Sequence, residues 1–149
     1  MKPNYLTILI TTLCIFFNAC HNSNTAPQLQ LADSLIDKRA DSALCILEKL
    51  SIEEISNKSA KAMYALLLTE ALDKNFKSHR NDSLILIAVD YYKDNSNNKL
   101  KTKAYYYLGR VYQDNKEYIK ATEAYLTALK TASPNQAPIL QIYNNLALC

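Results

Sequence analysis

Apolar residues recur at three- and four-residue spacing along most of the chain, most regularly in its last third. From Lys99 onward, Ala104, Leu108 and Val111 with Tyr112 line one face of a helix, and Ala121, Tyr125, Ala128 and Leu129 line a face of the next. The pattern breaks near Asp114 to Glu117, which predicts two amphipathic helices joined by a short connection. Broad apolar faces and a short connection require the two helices to lie antiparallel. Upstream, Ala43-x3-Leu47-x2-Leu50 and Leu84-x3-Ala88-x2-Tyr91 repeat the spacing of the second helix. Each follows an Asp-Ser pair, Asp41-Ser42 or Asp82-Ser83, whose carboxylate can cap the free N–H groups of a helix start. The partner helices are predicted at Gln28 to Lys38 and at Asn57 to Lys74, where Met63, Leu66, Leu67 and Ala71 form one stripe. The chain therefore reads as all-α, with three antiparallel hairpins of unequal length.

The first twenty residues have a different character. Lys2 precedes an uncharged apolar stretch from Leu6 to Phe17, followed by Asn18, Ala19 and Cys20 and then the polar run His21 to Asn24. That order is the order of a secretory signal. The stretch holds roughly 12 residues against the ~20 that a helix needs to span the hydrocarbon core. A small residue directly before a cysteine resembles the lipobox of bacterial lipoproteins. The resemblance implies that residues 1–19 are a cleaved signal peptide and that Cys20 becomes the lipid-anchored first residue. Residues 20–27, ending in Pro27, then form a tether to the helical domain at 28–149. Acyl chains contribute about 0.8 kcal/mol per buried CH₂, so a multiply acylated cysteine attaches the chain stably.

Within residues 102–135, Tyr105-x2-Leu108-Gly109-x2-Tyr112, then Ala121-x3-Tyr125-x2-Ala128 and Pro134, resemble the 34-residue tetratricopeptide pattern. The resemblance implies a stack of hairpins, a tetratricopeptide-like α-solenoid, in which these seven helix residues pack the hairpin together. It also implies that a peptide or partner helix lies along the concave face made by the first helix of each hairpin. Lys103, Tyr106, Arg110 and Gln113 fall on that face and are the candidate contact residues. The Lys/Asn arrangement with which some relatives clamp a C-terminal carboxylate is replaced by Tyr106 and Arg110, though Arg110 can itself pair with a carboxylate. Tyr143-x2-Leu146-Ala147 resembles the opening of a further, incomplete repeat from about residue 136, so the chain is expected to be the N-terminal part of a longer protein.

Composition narrows the function classes. With a single glycine, Gly109, no phosphate-cradling loop or dinucleotide fingerprint can form. Seventeen Lys and Arg against fourteen Asp and Glu leave a net charge of +3 in mixed order, which suggests neither a nucleic-acid arm nor an acidic tail. Cys14, Cys20, Cys45 and Cys149 have no CxxC spacing, and His21 and His79 belong to no metal or nucleophile motif. No enzyme activity, cofactor or metal is expected. Lys74, Lys77, His79 and Arg80 form a small basic loop, read either as solvated or as facing an anionic partner or lipid headgroup. Tyr91, Tyr92, Tyr105, Tyr106 and Tyr107 could stack on sugars or bases, but at helical spacing they read as hairpin packing.

Anchor and repeats together resemble envelope lipoproteins of Bacteroidota, in which such repeats often precede a transmembrane helix and an output domain. The resemblance implies a non-catalytic protein-interaction scaffold or sensor region, periplasm-facing and anchored through Cys20, with a protein or peptide partner and no direct nucleic-acid contact. Two alternatives share its features: a fragment of a SusD-like nutrient-binding outer-membrane lipoprotein, and a small envelope assembly adaptor. Trp-rich inserts would favour the first, and the chain has no Trp.

Overall fold

The computed structural model describes residues 25–79, 81–133 and 138–149. Residues 1–24, which include the expected signal peptide and Cys20, lie outside the described residues, as do Arg80 and Pro134. The described residues are all-α. They form α1 (Thr25–Leu35), α2 (Ala40–Leu47), a 3₁₀ turn (Ile52–Glu54), α3 (Lys58–Lys74), α4 (Ser83–Tyr92), α5 (Asn98–Asp114), α6 (Tyr118–Thr131) and α7 (Pro138–Leu146). None of these helices is long and apolar enough to cross a membrane.

Consecutive helices pair as antiparallel hairpins. The Tyr92 hydroxyl at the end of α4 reaches Met63 Sδ near the start of α3, 3.9 Å away. Thr102 near the start of α5 and Thr131 at the end of α6 share a hydroxyl hydrogen bond of 3.0 Å. The first helices, by contrast, run parallel to one another and touch directly: α1 packs on α3, α3 on α5 and α5 on α7. Asp37, just past α1, meets Lys74 at the end of α3, while Glu70 and Asp73 of α3 meet Lys103 and Arg110 of α5 in the same ascending order.

The apolar interior is a series of overlapping clusters rather than one central core. Leu29, Ala32, Ile36, Ala43, Leu44, Leu47 and Ile55 close against Tyr64, Leu67 and Ala71 of α3. The other face of α3 offers Ala62, Ala65 and Leu66 to Ile85, Ala88, Val89 and Tyr92 of α4 and to Ala104, Tyr107, Leu108 and Val111 of α5. Ala121, Tyr125 and Ala128 of α6 then meet Ile142 of α7. Tyr105, Tyr106 and Tyr112 border both of the last two clusters and join them. Each fully buried Leu, Ile or Val contributes about 1.5–3 kcal/mol, and these residues are spread from Leu29 to Ile142, while α3 and α5 link the clusters by facing neighbours on two sides.

The helix ends depart from the sequence-based expectations in several places. The helix expected from Gln28 extends back at least to Thr25 among the described residues, and Pro27 lies within it. The expected tether is thus helical from residue 25 onward. Asp41 lies inside the first turn of α2 rather than at its cap, and Asp82, although it precedes α4, makes no side-chain capping bond. The side-chain caps are asparagines instead. Asn57 Oδ1 accepts from Ala60 N at 3.1 Å, and Asn97 Oδ1 accepts from Leu100 N at 3.2 Å.

Helices α3 and α5 match in more than their caps. Each is 17 residues long, each has an asparagine N-cap and an asparagine C-cap, and each is followed by a left-handed residue, Phe76 (φ 55°) or Lys116 (φ 62°). In both, the next two N–H groups fold back on the last turn: Phe76 to Asp73 O and Lys77 to Leu72 O, Lys116 to Gln113 O and Glu117 to Tyr112 O. This is a Schellman ending made without glycine. The first helices start 40 residues apart, Lys58 to Asn98 and Asn98 to Pro138: the long α3–α4 loop is followed by the shorter α4, and the short α5–α6 turn by the longer α6.

The lone glycine marks the closest approach of α5 and α6. A Cβ on Gly109 would fall 2.4 Å from two ring carbons of Tyr125, which is fully buried and anchored by its hydroxyl to Gln113 Oε1 at 2.8 Å. Gly109→Ala is expected to destabilise the chain by about 1–3 kcal/mol through overpacking, despite the better helix propensity of alanine. Chemical denaturation followed by helical circular dichroism measures this; a neutral or stabilising effect would mean that the ring has room to move.

Candidate functional site

The first-helix face is where the four candidate contact residues lie, and its chemistry begins with two acids set into an apolar helix. Glu70 and Asp73 are three apart on α3 and point toward α5. The Glu70 side chain is only 2% exposed, with Oε1 3.3 Å from Lys74 Nζ and Oε2 2.5 Å from Lys103 Nζ. The Lys103 contact is an ion pair rather than an aligned hydrogen bond, and Glu70 Oε2 has no hydrogen-bond partner. Lys74 also donates to Asp37 Oδ1 at 2.6 Å. Burial opposes the Lys74 charge, but the hydrogen bond to Asp37 and the charge of Glu70 outweigh it and hold its pKa above the ordinary lysine value.

One turn further on, Arg110 Nε donates to Asp73 Oδ1 at 2.8 Å and Nη1 donates to Gln113 Oε1 at 3.1 Å. Partial burial works against the guanidinium charge, and the Asp73 carboxylate more than compensates, so the pKa of Arg110 is raised further. Gln113 Oε1 also accepts from Tyr125, so this one amide oxygen ties the charged face to the α5–α6 packing. Tyr106 packs edge-on against Tyr107 and tilted against Tyr125, and its hydroxyl accepts from Asn145 Nδ2 of α7 at 3.4 Å. Burial, then the nearby Asp73 charge, raises the Tyr106 pKa; burial and then Glu70 do the same for Tyr107.

Lys103, Tyr106, Arg110 and Gln113 thus come together on one face, but each already has a partner within the chain. The residues given a packing role occupy the interior as a group: Leu108, Gly109, Ala121, Tyr125 and Ala128 are buried, and Tyr105 and Tyr112 are half-buried beside them. Tyr92 and Tyr107 are buried, which removes them as stacking platforms, and Tyr91 meets Tyr92 edge to face with ring centroids 5.2 Å apart.

Of the described residues of the basic loop, Lys77 is exposed to solvent, while Lys74 and His79 are engaged within the chain. Lys74 is neutralised by Asp37 and Glu70, Lys77 pairs with Glu48 at 3.1 Å, and His79 is buried. His79 Nδ1 lies 2.8 Å from Asp114 Oδ2, and Nε2 lies 3.1 Å from the Thr69 carbonyl oxygen. The longer α3–α4 loop therefore folds a histidine back between the ends of α3 and α5. Sequence reasoning passed over Glu70, Asp73, Asp114 and this role of His79. The available signal was the pair of acids on the apolar α3, set against the basic Lys103 and Arg110 at a similar spacing on α5.

No family model matches the chain, and no curated protein or solved structure matches it either.

Removing Lys103 tests whether the buried acid needs its second cation. Lys103→Met leaves Glu70 with Lys74 only and is expected to cost about 1–3 kcal/mol, the penalty of a buried charge left short of partners. Adding Glu70→Gln to that variant should recover part of the loss. A Lys103→Met chain as stable as the parent would show that the ion pair contributes nothing.

Proposed function

We propose that this chain is a non-catalytic protein-binding scaffold or sensor region, a tetratricopeptide-like stack of hairpins held at the periplasmic side of a bacterial envelope by lipid on Cys20. The observation that carries the reading is the direct packing of alternate helices: α1 on α3, α3 on α5 and α5 on α7. When first helices contact one another along a stack, they line the inner side of its curvature and leave a continuous groove. The small residue at Gly109 and the ring of Tyr125 that fills its space support the tetratricopeptide likeness in the last full hairpin. Successive first helices start 40 residues apart from α3 to α5 and again from α5 to α7, against 34 in the tetratricopeptide pattern, so these hairpins are read as lengthened units of that kind.

A peptide in the groove would meet the edge of Tyr106, the amide of Asn145 and the outer parts of Lys103 and Arg110, whose side chains are 22% and 25% exposed. These groups suit backbone carbonyls and carboxylates of a partner. The edge-to-face packing of Tyr106 on Tyr107 gives less support to a glycan-binding reading, which needs exposed ring faces.

The test uses the full chain in a bacterial envelope, with a photo-crosslinking amino acid at Tyr106 or, as control, at the exposed Glu123 of α6. A discrete adduct is expected from position 106 alone, and Cys20→Ser should abolish both fatty-acid labelling and the adduct. Equal capture from both positions, or fatty-acid labelling that persists in Cys20→Ser, contradicts the proposal.

A further inference from the structure

We propose that Asp73, His79 and Asp114 form a binding site for a divalent transition-metal ion of the zinc type, which pins the α3–α4 loop to the ends of α3 and α5. One carboxylate oxygen from each aspartate and one ring nitrogen of His79 lie within 4.8 Å of one another, the group of metal-ligating side chains found among the described residues. The three residues are scattered at 73, 79 and 114, so no spacing motif announces them. The fold brings them together because residues 75–79 turn back until His79 reaches Thr69 of α3 and Asp114 of α5.

The contacts of His79 leave one ring nitrogen facing the acidic pair. Its side chain is 3% exposed and both ring nitrogens face acceptors: the Thr69 carbonyl at 3.1 Å from Nε2 and Asp114 Oδ2 at 2.8 Å from Nδ1. A carbonyl oxygen can only accept, so Nε2 carries the proton that this contact needs. In a neutral ring, Nδ1 then turns a lone pair toward a carboxylate oxygen, acceptor against acceptor. The other neutral tautomer moves the conflict to Thr69. Either a second ring proton or a metal ion at Nδ1 resolves both contacts, and a histidine that donates one ring N–H to a backbone carbonyl while offering the other nitrogen is the usual arrangement of a metal-binding imidazole.

The surroundings fit that cation. Arg110 holds Asp73 through Oδ1 at 2.8 Å and approaches Asp114 Oδ1 at 3.9 Å, on the oxygen opposite the one that faces His79. It orients the carboxylates, and two carboxylates against one guanidinium leave a net negative charge for the ion to meet. With metal–ligand bonds of about 2.0–2.1 Å, adjacent ligand atoms stand about 3–3.4 Å apart, so the Nδ1–Oδ2 separation has to open by only a few tenths of an ångström. One imidazole and two carboxylates suit Zn²⁺ and its neighbours, with water completing the shell on the partly exposed Asp114 side. Because the ligands come from α3, the loop and the end of α5, occupancy would stabilise the folded chain by mass action.

The experiment titrates Zn²⁺ into the full chain carrying isotope-labelled histidine near neutral pH and follows the ring nitrogens by NMR. His21 lies beside Cys20 and could bind Zn²⁺ by itself, so the His21→Ala chain is titrated in parallel. The expected result is a Zn²⁺-dependent shift of His79 Nδ1 that His21→Ala leaves intact. Asp114→Asn, which keeps a hydrogen-bonding side chain in place, should weaken binding about tenfold or more. A His79 ring that carries protons on both nitrogens and does not respond to Zn²⁺ overturns the proposal, since a proton then fills the place assigned to the metal. Zn²⁺ binding at His79 that Asp114→Asn leaves unchanged overturns it as well.

Discussion

The ring of Tyr125 occupies the space that Gly109 leaves empty, and the charged face of the molecule is tied to that contact. With no side chain at position 109, α5 and α6 approach until the ring lies against the α5 backbone. The hydroxyl of the same ring then reaches Gln113, Gln113 receives Arg110, and Arg110 holds Asp73 on the neighbouring first helix. A packing contact inside one hairpin is thereby connected, in three hydrogen bonds, to the relation between two hairpins. The apolar clusters supply the stabilising free energy, and this polar chain fixes the register in which α3 and α5 face one another.

The ionic contacts along the first-helix face fit that division of roles. Buried or half-buried ion pairs seldom add net stability, because desolvation offsets the Coulombic gain, yet leaving one partner unpaired is costly. Acids on α3 and bases on α5 therefore act mainly against misalignment: sliding one helix by a turn would leave Glu70, with its side chain 2% exposed, away from Lys103. The same pairing leaves only the outer parts of Lys103 and Arg110 for a partner, so a binding groove here would recognise shape and hydrogen bonds more than net charge.

Much of the helical framework was legible in the sequence because it rests on periodicity. The positions of α3, α5 and α6 follow from stripes such as Met63, Leu66, Leu67 and Ala71, and the small Gly109 and Ala121 announced where two helices come close. The caps were less legible: Asp-Ser pairs and asparagines are equally good capping residues on paper, and which one caps depends on where the preceding loop delivers the backbone. Helical spacing groups Lys103, Tyr106, Arg110 and Gln113, but spacing along one helix says nothing of Glu70, Asp73 or Asn145 across from it. His79 was the hardest to read. A histidine flanked by Lys77, Ser78 and Arg80 looks like solvated loop, and only the return of that loop over α5 buries it against Asp114.

The buried tyrosines hold the hairpins together, and alkaline titration tests that most directly. Burial pushes Tyr92 up to about 12 and raises Tyr107 and Tyr125 further, whereas phenols in an unfolded chain ionise near ~10. A folded-state pKa raised in this way stabilises the fold fully below the unfolded value and loses that contribution as pH climbs from about 10 through about 12. Phenolate absorbance and helical circular dichroism, recorded together over this range, should show a first group of tyrosines ionising with the helices intact and a second group ionising only as the helices melt. If every tyrosine ionised near ~10 while the helical signal stayed unchanged, the rings would be open to solvent and the packing described here would be wrong.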